Sequence, residues 1–537
     1  MKRSLGIGLI VFIVLVNIPA QWLVWRWDLT ADKRYTLSSQ TKQEMHALEE
    51  TLDITLLLQG DLNSGFKRLD RATRQMVSEL GMYGSVRVHD IDSEILSKSG
   101  LTPTIIHERE QNGRTIQTTI YPYAQLTYKD RSLVVPLLQN QRGLSGEENL
   151  NRSIEGLEYT LAEAIHSLRK TEVERIAFLE GHGELPEQNV YDLSTALSRY
   201  YQIDRGVLGY EVGVLDEYKC VIVADPQLPF SETDKYILDQ YLMQGGCILW
   251  LINGVKFSQN SLEEGGATPI MPLDLNLTDM LFRYGVRVNP MLVQDLQCLP
   301  VPVDVSRDPT NPNFQPMPWT YAPLLLTNES HPVTHGVAQV LGTFVSCIDC
   351  VGGNDEIHKD ILMATSTASA MTSAPAEVNL TDLTVETERF SYAYIPVSTT
   401  LEGQFQSLFA HRLTPDSIQS DREPIKLSTP TRQIIIAAGS IARNEWQQSQ
   451  PLPLGYDRYS GTQFGNRDML VNAVLWLCDN NGLINLRQKS VALRLLNDQR
   501  AHNKRMKIQI LSLLLPLLLI TLTGGIIVVV RHKKYTK

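Results

Sequence analysis

The chain has 537 residues, 43% hydrophobic and 20% charged, with a formal net charge of −10 and a pI near 5.6. That length allows two or three domains, and that apolar share supports folded cores and excludes wholesale disorder. An acidic chain carries no basic footprint for nucleic acid, so no nucleic-acid partner is expected.

Residues 5–25 (LGIGLIVFIVLVNIPAQWLVW) form the first of two apolar runs, and residues 508–530 (IQILSLLLPLLLITLTGGIIVVV) form the second. About 20 mostly apolar residues cross a hydrocarbon core as a helix, so each run predicts one transmembrane helix. The start, MKRSLGIG, reads as an export signal, a basic tip before an apolar stretch. Ile18-Pro19-Ala20 lacks the small-x-small pattern of a cleavage site, which favours an uncleaved anchor. Trp22, Trp25 and Trp27 suit a membrane–water interface, and membrane helices tolerate Pro516 and Gly524-Gly525.

Two spans place both termini on one side. Local charge gives conflicting answers about which side. Arg531, Lys533, Lys534 and Lys537 follow the second span, yet Arg26, Lys33 and Arg34 follow the first, and Arg500, Lys504, Arg505 and Lys507 precede the second. The positive-inside rule weakens beside large translocated domains. The signal-like start therefore decides: both termini cytoplasmic, the large domain periplasmic.

Residues 28–150 read as a first α/β domain. Ser38 or Ser39 caps a helix running to about Glu50, residues 53–59 (DITLLLQ) read as a buried strand, and residues 66–83 as a helix with Leu69, Met76, Val77 and Leu80 on its apolar face. Residues 85–91 alternate as a half-buried strand, and a β-rich stretch follows through 115–126 and 132–138. Residues 149–170 repeat Ile154, Leu157, Leu161, Ile165 and Leu168 at helical spacing, one amphipathic helix bridging to the next domain.

Residues 151–480 read as a second, doubly wound α/β domain with a parallel sheet. Short apolar strands at 175–179, 220–224 and 247–252 are separated by helices at 191–201 and from Ser231 to Met243. Asn276 or Thr278 caps a further helix to Tyr284. Seven prolines in 299–323 predict a stiff extended insertion, and 365–376 (TSTASAMTSAPA) a small-residue loop. Residues 432–438 return as a buried strand before a helix from about Arg467 to Leu477, and 481–507 form a juxtamembrane segment.

Six scattered cysteines do not make a disulfide framework. Cys347-Ile348-Asp349-Cys350 is a lone CxxC, and a zinc site needs two further ligands at suitable spacing; two small residues beside the turn 351–354 is the plainer reading. Cys220 and Cys247 lie in or at the start of strands, away from a nucleophile's turn. GxxxxGK[ST] and GxSxG are both missing, so neither an ordinary ATP-binding loop nor a nucleophile elbow is present.

The most suggestive local feature is Glu180-Gly181-His182-Gly183-Glu184, at the carboxyl end of a predicted strand, where α/β sheets place ligands. Asp225-Pro226 ends the strand 220–224 and is expected to lie beside it on one sheet edge. Glu180, His182, Glu184 and Asp225 are thus the candidate ligand- or partner-binding residues. Neither a metal nor a catalytic residue is assigned.

Taken in order, several motifs resemble the GldG family of gliding-motility-associated ABC transporter auxiliary, or substrate-binding, proteins. They are Asp28-Leu29-Thr30 with Lys33-Arg34-Tyr35-Thr36-Leu37-Ser38, Gly65-Phe66-Lys67-Arg68-Leu69, Phe178-Leu179 with the loop 180–184, Pro318-Trp319-Thr320-Tyr321-Ala322-Pro323-Leu324, Pro396 with Leu401-Glu402-Gly403-Gln404-Phe405, and Phe464-Gly465-Asn466. The resemblance implies a two-pass protein of the bacterial inner membrane that works with a separate ABC permease and a separate ABC ATPase. It also implies a sheet domain similar in architecture to class I glutamine amidotransferases, with no cofactor and no catalytic residue to carry over. Two other readings stay open: a membrane-tethered hydrolase using the loop 180–184, and a purely structural envelope scaffold.

Overall fold

The computed structural model describes residues 36–535, apart from 61, 91–100, 102, 110–114, 139–144, 171–172, 259–260, 263–265, 305, 307–312, 353–355, 380–386, 419–421, 480 and 489–497. The expected first span, 5–25, and the motif Asp28-Leu29-Thr30 lie outside the described residues. The chain divides into two units, one up to Ser490 and one from Val491 onward.

The first unit begins with helix α1 (Ser39–His46). Ser38 caps it by accepting from the Thr41 amide, and it ends at His46, earlier than expected. Strand β1 (Leu52–Leu56), helix α2 (Ser64–Leu80) and strand β2 (Val86–Asp90) follow. Asn63 caps α2 by accepting from the Phe66 amide. After the hairpin of β3 (Thr104–Arg109) and β4 (Thr115–Ile120) come β5 (Tyr123–Tyr128) and β6 (Arg131–Pro136). The order β2-β1-β5-β6 makes a four-stranded sheet, parallel only between β1 and β2. At its edge β2 is largely exposed, so its alternation does not mark a buried face.

The expected single helix at 149–170 is two, α3 (Gly146–Glu155) and α4 (Leu157–Arg169). Gly156 is the C-cap of one and the N-cap of the other. Leu150, Leu157, Leu161, Ile165 and Leu168 pack with Leu52, Ile54 and Leu126 in one core, so both helices close the first sheet. Each such side chain contributes about 1.5–3 kcal/mol by burial. Leu161→Ala would open a cavity at the centre of that face.

The larger sheet is built from β7 (Arg175–Glu180), β8 (Gln202–Val207), β9 (Tyr218–Ala224), β10 (Cys247–Leu251), β14 (Cys298–Asp304), β15 (Phe314–Thr327), β16 (Val340–Leu341), β18 (Ile357–Ala364), β21 (Pro396–Gly403) and β22 (Thr431–Ile436). Strands β11 (Val255–Lys256), β12 (Ala267–Pro272), β13 (Val286–Asp295), β17 (Ser346–Cys350), β19 (Ser369–Ser373) and β20 (Ala376–Asn379) form smaller sheets beside it. Parallel pairing holds across β8-β7-β9-β10-β22. The sheet then continues antiparallel through β21, β18, β15 and β14, an extension the strand runs alone did not announce.

Alternate residues of the parallel strands feed two cores. Cys220, Ile222 and Ala224 of β9 pack with Leu193 and Leu197 of helix α5 (Tyr191–Leu197) and with Met469, Leu470 and Val474 of helix α8 (Asn466–Cys478). Val221 and Val223 pack with Ile237 and Leu238 of helix α6 (Glu232–Met243) and Met280 and Leu281 of helix α7 (Thr278–Tyr284). Burial on both faces explains why these strands read as continuous apolar runs.

Three local expectations give way. The Pro-rich segment is not a free-standing extended stretch but a hairpin at the sheet margin, with Pro300 opposite Pro318 and Pro302 opposite Pro316. An edge strand needs no ladder donor on its outer side, so prolines are tolerated there. The expected loop at 365–376 contains β19, paired antiparallel with β13 from Met291↔Ser373 to Asp295↔Ser369. Buried Asp295 organises it, accepting from the Ser366 amide (2.6 Å) and hydroxyl (2.5 Å). Helix α7 has Leu277 at its N-cap without a side-chain cap, while Asn276, at φ 57°, donates to the Phe230 carbonyl instead.

All six cysteines are free thiols. Cys347 and Cys350 lie on β17, which ends at Cys350; Cys347 meets Asn289 and Met371, and Cys350 meets Thr399. The second unit contains helix α9 (Asp498–Tyr535), whose segment Ser512–Lys533 is long and apolar enough to cross a membrane by length and composition.

Candidate functional site

Ranked by position in the chain, the parallel strands lie in the order 2-1-3-4-5 as β8-β7-β9-β10-β22. The order reverses between β7 and β9, and in open α/β sheets ligands occupy the crevice beyond the carboxyl ends at such a reversal. The loop 180–184 leaves β7, and Asp225-Pro226 leaves β9, so the two sequence candidates share this edge.

Backbone bonds tie the loops together. The His182 carbonyl accepts from the amides of Gln227 (2.7 Å) and Leu228 (2.8 Å), and the Leu185 amide donates to the Ala224 carbonyl (2.8 Å). Gly181 and Gly183 adopt φ of 113° and 74°, which side-chain-bearing residues avoid. A Cβ at Gly183 would also come within 3.2 Å of Gln227 Cβ.

The His182 ring is buried and stacks on Phe230 with centroids 3.7 Å apart. Its Nδ1 meets Glu184 Oε1 at 3.0 Å and its Nε2 meets Asp234 Oδ2 at 3.3 Å. Glu184 Oε2 also accepts from the His182 amide at 2.6 Å. Asp234 is the third residue of α6 and completes a capping box with Ser231. Burial disfavours the imidazolium, but hydrogen bonds and charge from Asp234 and Glu184 outweigh it and raise the His182 pKa to about 9. Burial likewise opposes the Asp234 carboxylate, yet His182 and Ser231 hold it below the usual range. At neutral pH His182 is therefore a cation with both ring nitrogens donating. It has no free nitrogen to act as a base or to ligate a metal. Among the described residues, no group of three or more His, Cys, Asp or Glu side chains is arranged to hold a metal ion.

Glu180 turns away from His182. It accepts from Arg205 Nε of β8 at 2.7 Å, and Arg205 Nη2 reaches the Leu185 carbonyl at 2.9 Å. Asp225 is buried at φ 56° and faces the other way. Its Oδ1 accepts from Asn253 (3.2 Å) and Gln227 (3.1 Å), and its Oδ2 from Arg443 (3.4 Å). Burial pushes its pKa up to about 6 even though Arg443, Gln227 and Asn253 oppose the rise. The four candidates thus share an edge without converging on one point. Beyond Asn253 opens a cavity of about 340 Å³ lined by Leu273, Leu277 and Val288.

Sequence reasoning missed Asp234, Arg205, Asn253 and Arg443. Ser231 with an acid three residues on is a visible capping signal. That the same acid also holds His182, 52 residues earlier, has no local signature. The outward side of the loop is glycine backbone beside the half-exposed Glu180 side chain, flanked by two aliphatics. Val207 is 65% and Leu228 52% exposed. A Cβ on Gly181 would touch Val207, and one on Gly183 would touch Leu228, so the two glycines floor the space between these aliphatics.

Residues 31–127 match a domain of unknown function. An uncharacterized protein of Borreliella burgdorferi is 22% identical over 362 residues, 65% of this chain, and the match spans 65% of that relative's own length. The solved mmIFT52 N-terminal domain superposes with a TM-score of 0.33 at 13% identity, covering 56% of this chain and 96% of that one. Residues 174–473, more than half of the 537, match the family described as "ABC-type uncharacterized transport system", and the chain belongs to this family of ABC transport auxiliary proteins.

Proposed function

We propose that the chain is a non-catalytic auxiliary or substrate-binding subunit of a bacterial ABC transport complex of the gliding-motility (GldG) type, working with a separate permease and a separate ATPase. The observation that carries this reading is the family match over 174–473. The apolar helix Ser512–Lys533 supports membrane attachment. In the proposed topology the chain also crosses the inner membrane at 5–25, both termini are cytoplasmic, and the large domain is periplasmic.

Within that reading, the edge carrying Glu180, His182, Glu184 and Asp225 serves recognition rather than catalysis. His182 is occupied on both nitrogens, which weighs against the hydrolase alternative. The exposed pair Val207 and Leu228, with glycine backbone between them, suits the flat surface of a transporter component better than a small molecule. Two-dimensional native electrophoresis of gently solubilised membranes tests the assignment. The chain is expected to migrate well above its own 60.5 kDa together with an ABC ATPase. Migration as a free chain under conditions that keep ABC transporters intact would refute it.

A further inference from the structure

A second cavity lies at the opposite edge of the parallel sheet from His182, where β7 and β8 begin. It measures about 130 Å³, and it is lined by Glu174, one residue before β7, and by Tyr201, one residue before β8. A liquid water takes up about 30 Å³, so the space admits a molecule of a few heavy atoms. One wall is a face of α4. Tyr159, Glu163, His166 and Lys170 recur there at i, i+4, i+7 and i+11, opposite the stripe of Leu157, Leu161, Ile165 and Leu168 that closes the first sheet. Tyr200 enters from beyond α5, held by a bond from its amide to the Leu197 carbonyl (2.9 Å).

The cations bordering this cavity have partners. Lys170 Nζ meets Glu174 Oε2 at 3.0 Å, and His166 Nδ1 meets Glu44 Oε1 at 3.0 Å. Arg487 donates to Asn472 and stands over the Tyr159 ring, 5.4 Å from its centroid. The Asp479 carboxylate is likewise spent, accepting from the amides of Asn481 (3.0 Å) and Ile484 (3.1 Å). Glu163 and the hydroxyls of Tyr159 and Tyr200 differ. All three residues are partly buried, and among the described residues nothing hydrogen-bonds to these side chains. They are also mutual neighbours. The Glu163 charge is the first cause of the raised Tyr200 pKa, and it adds to burial in raising that of Tyr159. Burial in turn pushes Glu163 up to about 7, against the charges of Arg487 and Lys170. One carboxylate and two phenol oxygens therefore face a common space with acceptor capacity unused, and an enclosed carboxylate without donors is costly.

We propose that this cavity binds the primary ammonium group of a small amine, its three N–H donors directed to the Glu163 carboxylate and the Tyr159 and Tyr200 hydroxyl oxygens. Such a ligand supplies both the donors and the charge that Glu163 lacks. The site stands apart from the His182 edge and does not depend on the transport role argued above.

Saturation-transfer NMR titration of the full chain in uncharged detergent micelles at pH 8 tests it, with ethylammonium, tetramethylammonium and ethanol as probes. At that pH Glu163 is ionised and an alkylamine stays protonated. Tetramethylammonium carries the charge without N–H donors, and ethanol carries a donor without the charge. Ethylammonium is expected to bind saturably in the millimolar range, about tenfold or more tighter than either. Glu163→Gln should weaken it by about tenfold or more, and Tyr159→Phe/Tyr200→Phe by about three- to tenfold. Circular dichroism checks that each variant is folded. Equal affinity of the wild type for ethylammonium and tetramethylammonium, as scattered surface carboxylates would give, overturns the proposal. So does the lack of saturable ethylammonium binding, as expected if the cavity holds only water. These two outcomes need no variant. Undiminished ethylammonium affinity in folded Glu163→Gln overturns it as well.

Discussion

Raising the pH from 6 to 10 should loosen the join between the two loops at the β7–β9 reversal. His182 titrates near 9 in the folded chain because Asp234 and Glu184 favour its charge more than burial opposes it. A folded pKa above the unfolded value near 6.5 means that the stabilisation is complete below about pH 6.5 and is lost as pH rises through 9. At about 1.4 kcal/mol per pH unit, the gap amounts to about 3 kcal/mol. The lowered pKa of Asp234 reflects the same pair, so the two do not sum. His182→Gln removes the charge and leaves the buried Glu184 carboxylate, with 2% of its side chain exposed, without a counter-charge. Breaking a buried pair in this way costs about 3–5 kcal/mol, and adding Glu184→Gln should restore much of it. Histidine-selective NMR titration, assigned with His182→Gln, reads the pKa directly. Hydrogen exchange at Gln227 and Leu228, whose amides bond to the His182 carbonyl, reads the consequence. After correction for intrinsic rates, protection there should fall by about a hundredfold between pH 6.5 and 9.5 in the wild type. In His182→Gln it should be low throughout. A His182 that titrates at or below 6.5, or protection indifferent to pH, would refute the reasoning.

Asp225 should shift stability in the same direction over a lower pH range, but through a charge that burial disfavours rather than one its partners favour. Burial raises its pKa to about 6, above the ordinary value near 3.9, so the fold gains stability as pH falls through 6 and carries a disfavoured charge above it. Asp225→Asn keeps an acceptor for Asn253 and Gln227 and tolerates the left-handed φ, and thermal unfolding at pH 8 should show it unchanged within about 1 kcal/mol or stabilised. Asp225→Ala, which loses the acceptors and strains the backbone, should cost about 2–3 kcal/mol in the same assay. Gly439→Ala should be destabilised by about 1–3 kcal/mol, because its Cβ would collide with Asp225 Oδ1. Residues 28–500 expressed alone should fold as a soluble protein, since their cores are built from their own helices and strands; solubility only in detergent would contradict this. A thiol placed at exposed Ser373 should react with an impermeant reagent while the inner membrane is intact, and labelling only after rupture would reverse the proposed topology.

What could be read from sequence was what depends on neighbours in the chain. Strands β7, β9, β10 and β22 announced themselves as apolar runs because both of their faces are covered. The adjacency of the loop 180–184 and Asp225 was expected because right-handed crossovers bring the ends of parallel strands to one sheet edge, even though β8 comes between the two strands in sequence. Long-range partners were not legible. Asp234 reaches His182 across 52 residues and Arg443 reaches Asp225 across 218, and neither pairing leaves a local pattern. Residues 365–376 read as a loop because their small polar side chains have low burial value; they become strand β19 through β13 and the Asp295 carboxylate. The prolines of 299–323 concealed a hairpin for the related reason that pairing at a sheet margin depends on which strand lies next to it. Gly156 ended α3 within an uninterrupted apolar periodicity, so spacing alone predicted one helix where there are two.

If the proposed function holds, the chain works inside an ABC transport complex. The most direct test is affinity capture of the full chain from native membranes under mild solubilisation, with quantitative mass spectrometry of what accompanies it. An ABC permease and an ABC ATPase should be enriched at fixed, reproducible ratios to the chain, and retained when the detergent is exchanged. Capture of the chain alone, or with a shifting background of abundant membrane proteins and no ABC component, would contradict it.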